Sequence, residues 1–470
     1  MKSGSLSDSW SSLAAKVSSP AVGVYLLALG IILAITAYCG QLHSPYLEHD
    51  DWNFLLPASW GEGYATPWQK TLTEGRWLNY WWYLLIGVRW SATAAAWAYT
   101  LLAALFAGAL TFRLEGHARK LLLTLVIFFS PMFAELSIWP AALAASRLLL
   151  ALSVLAFAFA GRRGQLVSLG LTTFLAVMAY AGAAPVILLA YVFMRRVERQ
   201  RELAITLAVY LVAYVLSILC IATLNYAYHG HFGVLIEGWR RPHPAHDLAG
   251  FWANCLIQLD HLRQTSAFLR WPLLVSAISA LLVLRYGQRR LWETIMLVAI
   301  VAFAMDLGVA ALGGVWVPVR SMGWLWVTMA LTVILASDVR RTWASGLGYL
   351  GAVMLLVAGW MHWGVVYRAH QSAGNYIDAV GTAVARGDAG REVVLVGDVR
   401  SIPQLRRLYS SPQMQLRMAW FKSYDIKSRS CSGALCGELV SYAQEQGIRK
   451  LIFPYHNILV IYFRRDAEFP

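Results

Sequence analysis

Asp50 and Asp51 stand side by side in Tyr46-Leu-Glu-His-Asp-Asp-Trp-Asn-Phe54. Glu62 follows in Gly61-Glu-Gly-Tyr64, then Glu74 and Arg76 in Thr73-Glu-Gly-Arg-Trp-Leu-Asn-Tyr80. Adjacent carboxylates repel, so one proton affinity rises unless a cation or metal compensates. Such a pair suits a general base beside a partner that orients it or binds an ion. A solvated acidic loop, or a helix start in which Asp50 caps the segment from Phe54 onward, would account for the same residues without chemistry. Arg147 and Asp306 lie inside apolar stretches, where a charge is expensive and marks a functional site or a structural pair. The structural pairing open to Arg147 is Glu135, just across a short connection. Asp306 either pairs with an arginine or points to transport. Arg320, in Pro318-Val-Arg320, either serves a site or simply extends its head group to water. His243-Pro-Ala-His246-Asp247 has the spacing of metal ligands, but Pro242 and Pro244 disrupt helical geometry and no third ligand is evident, so no metal is expected there. There is no phosphate-binding glycine loop and no Gly-x-Ser-x-Gly, and nucleotide-sugar use is not indicated.

The elements that must position these residues are set by composition. The 470 residues are 59% hydrophobic and 14% charged, and the mean hydropathy is +0.54. Soluble domains average roughly 45–50% apolar and about 25% charged, so the class is a multi-pass α-helical membrane protein. The 21 tryptophans suit membrane interfaces. The net charge of +14 is dispersed over short connections, which argues for cytoplasmic loops and against nucleic acid. The five cysteines are no disulfide framework. Only Cys431-Ser-Gly-Ala-Leu-Cys436 suggests a small-loop disulfide, two free thiols being the alternative.

Stretches long enough to span a bilayer fall at roughly 21–39, 92–112, 120–138, 141–160, 203–224, 270–286, 293–312, 321–337 and 345–366. The stretch 166–194 is interrupted at Tyr180-Ala-Gly-Ala-Ala-Pro185 and reads as two short spans meeting at the outer surface. The segments 113–120, 161–164, 195–201, 285–290 and 338–341 are short and Arg/Lys-rich, hence cytoplasmic, together with the N-terminal tail 1–19. About eleven crossings result, within a transmembrane region 20–367 carrying outer loops 40–90 and 225–268. The segment 76–90, with four tryptophans and an arginine near each end, reads as a helix lying in the interface. Residues 368–470 alternate strand-like runs (392–398, 450–454, 458–463) with helices at 375–386 and 437–446, which predicts a small α/β domain outside the membrane.

An acidic pair just after the first span, interfacial helices and a Gly75-Arg76-Trp77 resemble the GT-C class of integral-membrane glycosyltransferases. Within it, residues 1–366 are most similar to the bacterial O-antigen serotype-converting glucosyltransferase family. The resemblance implies transfer of a sugar, glucose by analogy, from a polyprenyl-phosphate donor to a glycan such as O-antigen on its lipid carrier. Transfer would occur at the outer face of the bacterial inner membrane. It implies a loop-one carboxylate as base: Asp50 first, with Asp51 its orienter or the base itself. Arg76, Arg147 and Arg320 would meet the lipid phosphate, since the guanidinium fork fits phosphate oxygens. His49, Glu74, Trp77, Glu135, Trp139, His243 and His246 would line the substrates. No cofactor is implied, a divalent cation at Asp50/Asp51 being the one left open. A flippase or transporter of lipid-linked glycan, and an O-antigen ligase or polymerase, are the alternatives.

Overall fold

The structure is a computed structural model that describes residues 20–60, 66–387, 391–406 and 412–464. The tail 1–19 and Glu62 lie outside the described residues. The helices run, in chain order, α1 Pro20–Tyr38, α2 His49–Trp52, α3 Pro67–Glu74, α4 Trp77–Leu85, α5 Ala92–Leu110 and α6 His117–Phe128. Next come α7 Pro131–Leu136, α8 Pro140–Phe159, α9 Arg162–Tyr180, α10 Ala183–Arg195, α11 Gln200–His229 and α12 Leu248–Thr265. They close with α13 Arg270–Tyr286, α14 Arg289–Gly313, α15 Gly323–Ala336, α16 Thr342–Gly387, α17 Pro412–Tyr424 and α18 Ala434–Glu445. Among the described residues, six helices are long and apolar enough to cross a membrane, and three further apolar helices are shorter.

The basic connections gather at one end of this bundle. Arg113 donates to the carbonyls of Ala158 and Met194. Arg196 donates to Gln288 at 3.0 Å, Gln288 donates to Asp338 at 2.8 Å, and Arg119 is ion-paired to Asp338. Loop one and the loop after α11 gather at the opposite end. The segment 76–90 holds α4, nine residues long. At 1.5 Å per residue that is about 13.5 Å, less than half the hydrocarbon core. The interruption expected within 180–185 is present, at 181–182. There Gly182 sits where a Cβ would come within 2.5 Å of the Ser321 carbonyl oxygen.

Two expectations are corrected. The stretch 120–138 is not one helix: α6 ends at Phe128 and α7 starts at Pro131, because proline lacks the N–H that would continue the ladder. There is also no break at residue 367, and the expected separate helix 375–386 is the continuation of the last apolar stretch. α16 runs unbroken for 46 residues, about 69 Å.

Beyond α16, strands β1 Glu392–Gly397, β2 Ser428–Ser430, β3 Ile452–Tyr455 and β4 Ile458–Phe463 form one sheet in the order β2-β1-β4-β3. β1 is parallel to β2 and β4, and β3–β4 is an antiparallel hairpin. β1 and β4 are buried on both faces, so they read as continuous apolar runs. Val394, Val396 and Val460 pack on Leu439 and Ala443 of α18. On the other face Leu395 and Ile461 share a core with Val380 of α16, Trp420 of α17 and Leu47, Phe54 and Leu55 of loop one. Cys431 and Cys436 are disulfide-bonded.

Candidate functional site

Loop one is fastened, residue after residue, to the connection that opens α8. Gln41 donates to the Ser137 carbonyl at 3.1 Å, and the Glu48 amide donates to Ile138 at 2.9 Å. The Trp139 indole donates to Asp50 Oδ1 at 2.5 Å. The amides of Ala141 and Ala142 donate to Asp51 Oδ2 and Oδ1 at 3.0 and 2.6 Å. Pro140 begins α8, so Asp51 satisfies the free N–H groups of its first turn from a distant segment, with the helix dipole in favour. The adjacent carboxylates therefore have different surroundings. Asp51 is fully buried with both oxygens committed, whereas a fifth of the Asp50 side chain is exposed. Burial pushes the Asp51 carboxyl up, to about 8, against the lowering pull of the two amides. Asp50 does not cap the segment after Phe54; its other oxygen takes Lys70 Nζ at 2.7 Å.

Lys70, which the sequence analysis did not single out, is the hinge of the cluster. Thr66 caps α3 through a reciprocal box with Gln69, with Pro67 in the first turn. That start places Lys70 and Glu74 one turn apart, their head groups 3.3 Å from each other. Gly75 ends α3 at φ +69, a left-handed turn open to glycine at little cost. The turn folds Arg76 back onto Glu74 at 2.6 Å, and Arg240 arrives from the loop after α11 at 3.4 Å. Burial opposes ionisation of Asp50 and Glu74. The cations nevertheless hold Asp50 well below the usual carboxylate range, Lys70 foremost, and hold Glu74 at about 2, Arg76 foremost. Burial likewise opposes the Lys70 charge, which Asp50 and Glu74 keep above the ordinary lysine value. A second missed residue is Glu48, fully buried, which accepts from Tyr46 and holds His49 Nδ1 at 2.9 Å. The only sequence signals were the i, i+4 spacing of Lys70 and Glu74 and the polarity of both beside aromatic residues.

The three arginines expected at a phosphate converge on Tyr180, which lies within electrostatic reach of Arg76, Arg320 and Arg147. Arg76 lies over its ring at 5.6 Å, and the Tyr180 hydroxyl donates to Ser321 at 2.9 Å. Arg320 lies over the Trp139 ring at 4.9 Å, on the indole that holds Asp50. Arg147, only 3% exposed, donates to the Tyr99 hydroxyl at 2.7 Å and lies 4.0 Å from the Phe133 ring centroid. Its Nε is buried without a hydrogen-bond partner among the described residues. The pairing of Arg147 with Glu135 is not formed: Glu135 lies 3.3 Å from His362 of α16.

Other expected residues fall elsewhere. Trp77 is 2% exposed, donates to Asn225 at 2.8 Å and packs against Trp68, Tyr80 and Tyr228. In this structure it is a buried packing residue. His243 and His246 are exposed on the loop after α11. His243 is tied by its backbone to Gly314 and Asn254 rather than to the acidic cluster. Asp306 accepts from the Trp324 indole at 2.8 Å and is not paired to an arginine among the described residues. A shared cation between Asp50 and Asp51 does not fit the residues present. The oxygens of one meet an ammonium and an indole, and those of the other meet two amides. No group of three metal-ligating side chains occurs among the described residues.

Comparison with protein-family models, with curated proteins and with solved structures finds no match to this chain. What the fold and site define is a helical membrane protein with a polar cluster of mixed charge at one end of its bundle.

Proposed function

We propose that this protein transfers a sugar, glucose by the resemblance, from a polyprenyl-phosphate donor to a glycan acceptor such as O-antigen. In this reading the bundle crosses the bacterial inner membrane eleven times, N-terminus inside, with the acidic cluster and the C-terminal sheet in the periplasm. The Cys431–Cys436 disulfide supports that side, since disulfides persist in oxidising compartments. Asp50 is the base. Each Asp50 oxygen holds one donor, Trp139 or Lys70, and its partial exposure leaves a lone pair open to an acceptor hydroxyl, whereas Asp51 is fully buried on α8. The acceptor oxygen attacks the anomeric carbon as the bond to the phosphate oxygen breaks, so the configuration inverts and the hydroxyl proton passes to Asp50. Lys70 keeps Asp50 ionised, and the carboxylate also offsets positive charge developing at the sugar ring, as in other glycosyl transfers. The electron pair leaves on the lipid phosphate, where Arg147 and Arg320, with Arg76, stabilise it.

One observation carries the reading. Arg147 is a buried guanidinium hydrogen-bonded to a neutral tyrosine, and two further arginines share with it electrostatic reach of Tyr180. A buried cation without an anion is costly, and a bound lipid phosphate supplies the anion.

The test compares cell-surface glycans in cells carrying Asp50→Asn or Asp51→Asn at equal protein level. Asp50→Asn is expected to remove a hexose-sized mass, with turnover down roughly 100-fold or more. Asp51→Asn is expected to keep it. Full activity in Asp50→Asn would reject the base assigned here. A flippase reading rests on Asp306, held by Trp324 within the bundle. It requires Asp306→Asn to abolish function while Asp50→Asn is tolerated.

A further inference from the structure

A cavity of about 480 Å³ opens beside the acidic cluster, between the loop after α11, the middle of α12 and the C-terminal end of α14. Its polar lining comes from Arg240, Arg241, His243, Asn254, Gln258 and Trp316, and no carboxylate is among the described residues lining it. The walls are fixed. The His243 amide donates to Gly314 at 3.2 Å and the Ala245 amide to Leu312 at 3.1 Å. Asn254 donates to His243 and to Ala311, at 2.8 and 3.0 Å. Gln258 bonds both the N–H and the C=O of Val317, at 2.8 and 3.0 Å. The carbonyls of Ala311 and Leu312, in the last turn of α14, are thereby occupied. Gly314, at φ +61, could not carry a side chain, since a Cβ would fall 2.0 Å from the His243 oxygen.

Two further features give the cavity a direction. Leu248, Trp252, Leu256 and Leu259 are exposed on α12 at spacings of four, four and three. That places them on one helical face, the pattern of a helix against lipid. Ile257, exposed beside Leu256, lines the cavity itself. On the opposite side Arg240 reaches Glu74, which also holds Lys70 and Arg76. A cationic pocket thus lies between an apolar stripe and the acidic cluster. Trp316, exposed and with its ring tilted against His261 at 4.4 Å between centroids, offers an aromatic face beside it.

We propose that this cavity binds the phosphate of a second lipid-linked substrate, the acceptor's prenyl carrier. Arg240, Arg241 and His243 meet the phosphate oxygens, the prenyl tail lies along the α12 stripe, and the first sugar rests on Trp316. The identity of the ligand as acceptor depends on the proposed transfer reaction, but binding is measured without turnover, so either claim can fail alone.

Radiolabelled farnesyl diphosphate is titrated into the purified full-length protein in phosphatidylcholine-supplemented detergent. The wild type is expected to show two classes of site. Arg241→Ala combined with Trp316→Ala should weaken one class by roughly tenfold or more, as loss of charge-assisted contacts requires. Arg320→Ala should weaken the other, and Arg241→Lys should retain most of the affinity at the first. An unchanged isotherm for the double variant, at unchanged thermal midpoint, would overturn the site. Equal displacement by inorganic pyrophosphate would overturn its lipid character. Displacement by phosphatidylglycerol at matched concentration would keep a lipid-phosphate site but overturn its assignment to the acceptor. If Asp50→Asn remained active while the double variant still lost its site, the transfer reading would fall and the binding site would stand.

Discussion

Because both Asp51 oxygens are committed to the amides of Ala141 and Ala142, an alanine there leaves the first turn of α8 without its acceptor. Loss of a helix cap costs about 1–2 kcal/mol. Asp51→Ala should therefore lower the thermal midpoint of the purified protein, while turnover per folded molecule stays within about threefold. A loss of turnover like that of Asp50→Asn, at unchanged stability, would put Asp51 back among the reacting groups. Glu74 and Asp50 give the cluster a pH dependence of definite sign. Their folded pKa values lie below the ordinary ones, 4.5 for glutamate against about 2 for Glu74. The stability they contribute is complete above about 4.5 and is lost as the pH falls toward 2. Thermal midpoints followed across that window should decline, and Glu74→Gln should remove part of the decline; an identical profile would show the cations elsewhere engaged. The acidic pair was legible by residue type alone. Its division of labour was not, because it depends on amides ninety residues away. Lys70 escaped notice for the same reason: its partner Asp50 is twenty residues upstream.

The elements around the site were legible where periodicity and breakers agreed, as at Tyr180-Ala-Gly182, which separates α9 from α10. They misled where composition was taken for a boundary. The boundary expected after residue 367 lies inside α16, where a Cβ on Gly374 would come 3.3 Å from the Ser44 carbonyl oxygen. Ser130-Pro131, inside the expected span 120–138, is its break. The turn at Gly182 carries a consequence for Arg320. A methyl there would meet the Ser321 carbonyl at 2.5 Å, and Ser321 follows Arg320 directly and holds Tyr180. Gly182→Ala should destabilise the protein by about 1–3 kcal/mol, the range for overpacking. It should also weaken the farnesyl diphosphate site that depends on Arg320. Wild-type stability and affinity would mean that the α9–α10 turn yields without moving its neighbour.

At the scale of the whole molecule, the basic connections and the acidic cluster lie at opposite ends of the bundle, so one labelling experiment reads the orientation. In a background with Cys39, Cys220, Cys255, Cys431 and Cys436 replaced by serine, an impermeant thiol reagent is applied to intact cells. Cysteine introduced at exposed His231 should react, and cysteine at exposed Arg163 should react only after permeabilisation. The reverse pattern would place the candidate site in the cytoplasm and remove the lipid-phosphate chemistry proposed for it.

The unbroken α16 has one more consequence. Its membrane end and its sheet end belong to a single rod, and α17 at the far end grips loop one through Gln415 on Leu47 and Lys422 on Leu55 and Val88. Each residue inserted into a helix rotates everything beyond it by about 100° and lifts it about 1.5 Å. The joint between bundle and sheet is therefore indexed like a screw thread. A single inserted residue near 370 would swing the α17 contacts off loop one, and an insertion of a whole turn would restore the heading but leave a gap of about 5.4 Å. Length in this stretch is a coordinate of the site.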